Sequence, residues 1–193
     1  MLKRRSGDCH KDSGMMAAVR LGEAFYRQDV LTVAPELVGK LVCRRLDDST
    51  VMRGRILEAE AYRGEEDMAC HARFGKTSRC APLYEAGGLS YVYLIYGLHW
   101  LFNVVTGEKD VPQAALVRAL HPPLDGPAKW TKAFSITKRQ NGLDLIHGEE
   151  MWLEDDGFRP QIKTLPRVGI DYAASPWKEI PWRFADELMK TRK

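Results

Sequence analysis

The chain is poor in cysteine: Cys9, Cys43, Cys70 and Cys80 are the only four in 193 residues, and no two of them form a C-x-x-C pair. Cys9–His10 and Cys70–His71 are adjacent pairs with no second pair at ligand spacing. That pattern argues against a zinc site and for free thiols in a reducing compartment. Also missing are an apolar run near the ~20 residues that a membrane helix needs and an apolar signal segment at the N-terminus. The expectation is a soluble intracellular protein of the cytoplasm, nucleoid or nucleus, without a membrane partner. Strong charge imbalance is absent too. The 29 basic and 26 acidic residues leave a net charge of +3, which permits a polyanionic partner without demanding one.

Acid is scarce locally. Residues 68–84 carry Arg73, Lys76 and Arg79, and residues 126–143 carry Lys129, Lys132, Lys138 and Arg139, with no Asp or Glu in either stretch. From Ala86 to Gly107 there is no Asp, Glu, Lys or Arg at all. This charge-free run contains "YVYLIYGLHW", which reads as two strands meeting at a two-residue turn, Tyr96-Gly97. Core packing accounts for Tyr91 and Tyr93 but poorly for an aromatic ring at a hairpin tip.

With 45% hydrophobic residues the chain can bury a sizeable core, and its length favours one domain. Residues 1–21 begin with the polar, aperiodic "MLKRRSGDCHKDSGM" and are expected to be a flexible lead-in to a single domain over residues 22–193. Along that domain the patterns predict a short helix around Val33–Leu37 closed near Gly39, then strands at Lys40–Leu46 and Val51–Tyr62, with a bulge at Gly54. The hairpin follows, then "AALVRAL" as a strand, a short helix after Gly126–Pro127, and further strands at "MWLEDD" and "PRVGI". Strands next to strands with helices interspersed indicate an α+β fold. Its sheet should be mostly antiparallel, curved or barrel-like, with surrounding helices and a protruding hairpin.

In "RILEAEAY" the two-residue period puts Ile56, Glu58, Glu60 and Tyr62 on one face, the carboxylates about 7 Å apart. Arg118 is an isolated cation within the apolar "AALVRAL", and a charge in such a strand generally has a buried partner. A Glu–Arg arrangement at the floor of a cleft could orient and deprotonate a water. Tyr96, flanked in sequence by two basic stretches, suits a wedge in a base stack while Lys and Arg hold phosphates.

"EAEAYRG", then His71 nine residues after Tyr62, "YVYLIYG", Asn103, "LVRAL", "GPAKWTKAFSI" and "PRVGI" together resemble the alkyladenine (3-methyladenine) DNA glycosylases, from about Gly22 to Phe184. The resemblance implies a monomeric, monofunctional hydrolase of base excision repair. Such an enzyme flips alkylated or deaminated purines from double-stranded DNA and cuts the N-glycosidic bond, with no metal, cofactor or lysine Schiff base. It implies that Glu60 activates the water and Arg118 helps hold it. Tyr62, His71 and Tyr93 would stack on and contact the flipped base, Asn103 would discriminate against normal guanine, and Tyr96 would intercalate. Arg73, Lys76, Arg79, Lys129 and Lys132 are phosphate-binding candidates. The chain departs from the usual family pattern at Cys70 and Cys80 and in its ending after "PWRF".

Two other readings compete. A non-catalytic module could use the same hairpin on RNA or single strands, but a carboxylate facing a polyanion would weaken binding. A carbohydrate glycosidase could use Glu58 and Glu60 as acid and nucleophile, but side chains on one strand face point in parallel rather than across a scissile bond.

Overall fold

The computed structural model describes residues 17–188. The Lys3–Arg5 triplet, Cys9 and the rest of residues 1–16 lie outside the described residues. Of the expected lead-in, residues 17–21 are described, and Val19–Arg20 form a short strand, β1.

Helix α1 (Glu23–Tyr26) precedes α2 (Val30–Leu37). The N-terminus of α2 is set by Asp29, whose side chain accepts from the Leu31 N–H at 2.9 Å. Its end is set by Gly39 at φ +96°, a backbone conformation that glycine adopts without strain. Strand β2 (Leu41–Arg45) leads to the long strand β3 (Val51–Arg63). Two 3-10 turns, His71–Phe74 and Ala81–Tyr84, occupy the first acid-free stretch. The hairpin strands β4 (Ser90–Ile95) and β5 (His99–Val105) follow, then β6 (Gln113–Leu120) and helix α3 (Pro127–Ala133). Strands β7 (Met151–Asp155), β8 (Ile162–Leu165) and β9 (Arg183–Asp186) are the last elements among the described residues.

The strands pair antiparallel in the order β1-β7-β2-β3-β6-β5-β4, with β9 on β3 and β8 on β9, and the path does not close into a barrel. The fold is α+β with a curved antiparallel sheet. Strand β3 is its spine: residues 51–55 pair with β2, while residues 56–63 pair with β6 and residues 58–60 also with β9. Helices α2 and α3 cover one side, where Val30, Val33, Ala34 and Leu37 join Phe102, Trp130, Phe134 and Leu120 in the main core. Trp130 also satisfies its indole N–H, which donates to the Val117 carbonyl at 3.0 Å.

Four sequence expectations change. Gly54 is not a bulge: it pairs regularly with Val42, and a Cβ there would stand 2.6 Å from Leu120 Cδ1 and 3.0 Å from Phe134 Cζ. The glycine makes room for the core. The irregularity falls instead at Ile56–Ala59, where the register with β6 shifts. That shift breaks the strict alternation, so Ile56 joins Ala59 and Ala61 in the core while Glu58 and Glu60 both reach Arg118. "PRVGI" is not a strand, because Pro166 has no N–H to donate and Gly169 turns the backbone at φ +78°. The hairpin turn has three residues rather than two: Ile95 pairs with His99, and the Leu98 N–H donates to the Ile95 carbonyl at 3.1 Å.

Candidate active site

The register shift in β3 delivers Glu60 to the middle of the molecule with no exposed side-chain surface. A buried carboxylate needs donors, since burial without partners is very costly. Glu60 has two, with a cation beside them. Its Oε1 accepts from the Val168 N–H at 2.9 Å and lies 3.5 Å from Arg118 Nε, and its Oε2 accepts from the Tyr62 hydroxyl at 2.9 Å. Burial pushes the Glu60 carboxyl above the ordinary range, opposed by Arg118, the Val168 N–H and the Tyr62 hydroxyl. Arg118 also lies 3.6 Å from Glu58, which is held in turn by Arg183 at 2.8 Å. Glu58 is therefore fixed as the partner of two arginines.

Next to Glu60, which does not itself line it, is a cavity of about 580 Å³. Arg118, Tyr62 and Val168, the three groups that touch Glu60, line it. So do His71, Tyr91, Tyr93, Asn103, Tyr96, Arg73 and Arg79, and no acidic side chain is among the described lining residues. The aromatic wall is ordered internally. His71 and Tyr93 meet edge to face with ring centroids 4.5 Å apart, and His71 Nδ1 shares a 2.8 Å hydrogen bond with the Tyr91 hydroxyl. This leaves His71 Nε2 for a ligand. Burial, helped by Arg79 and Arg73, pushes the His71 pKa down to about 4, so the ring is neutral at physiological pH. The Tyr62 and Tyr93 hydroxyls are pushed well above their ordinary range by burial and stay protonated. Asn103 is buried and donates through Nδ2 to the Tyr91 carbonyl at 3.0 Å.

Tyr96 stands at the hairpin tip, 84% exposed, with φ +53° followed by Gly97 at φ +68°. A positive φ at a bulky residue costs about 1–2 kcal/mol. Leu94 and Leu98 beside it are exposed as well, so the hairpin ends in an apolar tip at the cavity mouth.

The basic candidates separate. Arg73 and Arg79 lie at the cavity, the first over the rings of Phe74 (4.4 Å) and Tyr172 (5.2 Å), the second over Tyr93 (5.5 Å). Lys76 lies 3.9 Å from Glu85 and over the Tyr84 ring. Lys129 and Lys132 are exposed on α3, whose Pro127 and Ala128 touch the cavity, and Lys129 is paired with Asp125 at 2.7 Å. Cys70 and Cys80 are buried thiols within the turns beside the cavity. Cys70 Sγ accepts from the Ala72 N–H at 3.4 Å, its thiol pushed up to about 12 by burial, and Cys80 Sγ accepts from the Thr77 N–H at 3.2 Å.

Sequence reasoning missed two parts of the site. Tyr91 packs in a buried cluster as expected, but it also lines the cavity and shares the hydrogen bond that orients His71. The Val168 N–H is a backbone donor, which no side-chain pattern reveals.

A buried carboxylate thus lies next to an aromatic cavity whose described lining holds no acid and whose mouth carries an exposed ring. The family model for methylpurine-DNA glycosylase matches residues 24–189. The chain is 38% identical over 192 residues to a protein of Clostridium botulinum (strain Alaska E43 / Type E3), covering 85% of this chain and 94% of that one. It is 40% identical over 192 residues to one of Desulfitobacterium hafniense (strain Y51), covering 86% and 94%. With one of Anaeromyxobacter dehalogenans (strain 2CP-C) it shares 43% identity over 175 residues, covering 86% and 83%. All three relatives bear the name "Putative 3-methyladenine DNA glycosylase". The chain belongs to the methylpurine-DNA glycosylase family, and so to the DNA glycosylases, hydrolases of DNA repair. Among the described residues no helix is long and apolar enough to cross a membrane.

Proposed function

We propose that this protein flips an alkylated or deaminated purine out of duplex DNA into the cavity beside Glu60 and hydrolyses its N-glycosidic bond. The observation that carries the reading is that a fully buried Glu60 is held by Val168, Tyr62 and Arg118, all three of which line that cavity.

A carboxylate has about four lone-pair sites, and two donors, with Arg118 at 3.5 Å, leave room for a bound water. A water bound there can pass its proton to Glu60 while its oxygen attacks the anomeric carbon of the deoxyribose. The C–N bond breaks, the electron pair leaves with the base, and an abasic site remains. Arg118 lies within reach of both Glu60 and the cavity and helps hold that water. The neutral rings of Tyr62, His71 and Tyr93 offer electron-rich faces to a cationic alkylated purine, which is already a good leaving group. A neutral lesion such as hypoxanthine must take a proton from solvent as the C–N bond breaks, which a cationic alkylated base does not need. Asn103, in the cavity wall, discriminates against the exocyclic group of a normal guanine. Tyr96 fills the gap in the stack, and Arg73, Arg79 and Lys132, with a smaller share from Lys76 and Lys129, bind phosphates. The chain acts as a monomer, through one domain over residues 22–193, and requires no metal or other cofactor.

The test is a base-release assay on duplexes carrying 3-methyladenine, 7-methylguanine, hypoxanthine or 1,N6-ethenoadenine, with borohydride present in a parallel reaction. Free base from at least one lesion, an unbroken strand and no trapped adduct are expected. A covalent protein–DNA adduct would point instead to a lysine nucleophile.

A further inference from the structure

Residues 166–182 cross from β8 to β9 without a helix or strand, yet they supply Val168, Gly169, Ile170 and Tyr172 to the cavity wall. Such a segment needs a fixed point if its backbone is to hold a catalytic carboxylate. Arg167 provides one. Its side chain and that of Asp67 are both fully buried and paired as a fork, Arg167 Nη1 to Asp67 Oδ2 at 2.5 Å and Nη2 to Oδ1 at 2.9 Å. The same guanidinium donates to the Ala61 carbonyl at 2.9 Å and the Trp177 carbonyl at 3.2 Å. It also lies over the rings of Tyr62 (4.8 Å) and Trp182 (5.2 Å).

These contacts converge on the two groups that donate to Glu60. Val168, whose N–H meets Oε1, is the next residue in the chain, and Tyr62, whose hydroxyl meets Oε2, is the ring beneath the guanidinium. Asp67 extends the link to the other side of the cavity. It accepts from the Arg63 and Ala69 N–H groups and so shapes the turn that leads to Cys70 and His71. A fully buried ion pair adds little net stability over apolar residues of similar volume, but a planar fork fixes orientation well.

We infer that Arg167, held by Asp67, is a positioning residue for Glu60, fixing the Val168 N–H and the Tyr62 ring against the carboxylate. The role rests on Glu60 as the group that activates water. Other groups face Glu60 too: Glu58 on β3, Arg118 from β6, Tyr93 from β4, and Arg183 from β9 through Glu58. Arg167→Lys keeps the positive charge and removes the fork, so it separates position from charge. With the Val168 N–H released, Glu60 loses a donor that favours its ionised form, and its titration moves to higher pH.

The experiment is a carbon-13 NMR titration of the labelled glutamate carboxyls in the whole protein, the Glu60 signal being assigned by its loss in Glu60→Gln. In Arg167→Lys the Glu60 midpoint should rise by about one pH unit, the equivalent of one good hydrogen bond. The acid limb of single-turnover release of an alkylated base should rise with it. Asp67→Glu, which keeps both charges but displaces the fork by a methylene, should move both in the same direction and serves if the lysine variant folds poorly. A lower melting temperature with an unmoved Glu60 midpoint in both variants would overturn the inference and leave the pair a structural one. A midpoint that moves without the acid limb following would uphold the positioning and contradict the reading of Glu60 as the base.

Discussion

The Tyr62 hydroxyl and Glu60 Oε2 lie 2.9 Å apart, two residues along one strand, so a ring that walls the cavity is tied to the carboxylate beside it. Replacing Tyr62 therefore touches two functions at once. In Tyr62→Phe the ring stays and the donor goes, so the Glu60 titration rises and the acid limb of base release moves to higher pH. Binding of an abasic-site duplex should change little. An unmoved limb would separate the hydroxyl from the chemistry.

His71 carries its own pH signature. Its folded pKa, about 4, lies below the ordinary 6.5, so the unfolded chain binds the proton more readily. The stability due to neutral His71 is fully present above about 6.5 and is lost as pH falls through about 4. Urea unfolding across that window should show the parent losing stability with falling pH more steeply than His71→Phe. Equal slopes would mean the ring is not held neutral by its surroundings.

Tyr96 combines strain with exposure. Tyr96→Gly relieves the positive φ, so the melting temperature should hold or rise, by the equivalent of about 1 kcal/mol. The same change removes the plug that offsets unstacking, and a loss of about 1.4 kcal/mol there lowers release from a paired lesion about tenfold. The penalty should shrink when the lesion sits opposite a mismatch. Equal loss on paired and mismatched substrates would contradict the wedge.

Salt dependence distinguishes the basic residues. With four to six phosphates engaged, log K against log salt should slope at about −4 to −5. Arg79, exposed at the cavity mouth, should flatten the slope by about one unit when replaced by alanine, whereas Lys129, already paired with Asp125, should matter less. The reverse order would move the DNA path away from the mouth.

Much of this site was legible in sequence because its signals are local or chemically odd. Glu58 and Glu60 stand out as a pair in "EAEAY", of which the family resemblance picks Glu60, Arg118 stands out as a cation inside an apolar strand, and Tyr96 as an aromatic before the turn glycine. Strand β3 and the hairpin were readable for the same reason. The Ile56–Ala59 register shift was not, because it depends on which residues of β6 lie opposite. The role of Gly54 depends on Leu120 and Phe134, which only the fold brings near. The Arg167–Asp67 pair joins residues 100 apart in the chain, and the Val168 donor belongs to the backbone, which has no residue type to announce it.

The central claim, that Glu60 activates the attacking water, is tested most directly by single-turnover base release from a 3-methyladenine duplex with Glu60→Gln beside the parent protein. The amide keeps the shape but cannot take a proton at neutral pH. The account predicts that release by the variant falls to the uncatalysed level while its binding to an abasic-site duplex is kept or improved. Release by Glu60→Gln within about tenfold of the parent, a difference worth only about 1.4 kcal/mol of barrier, would contradict it.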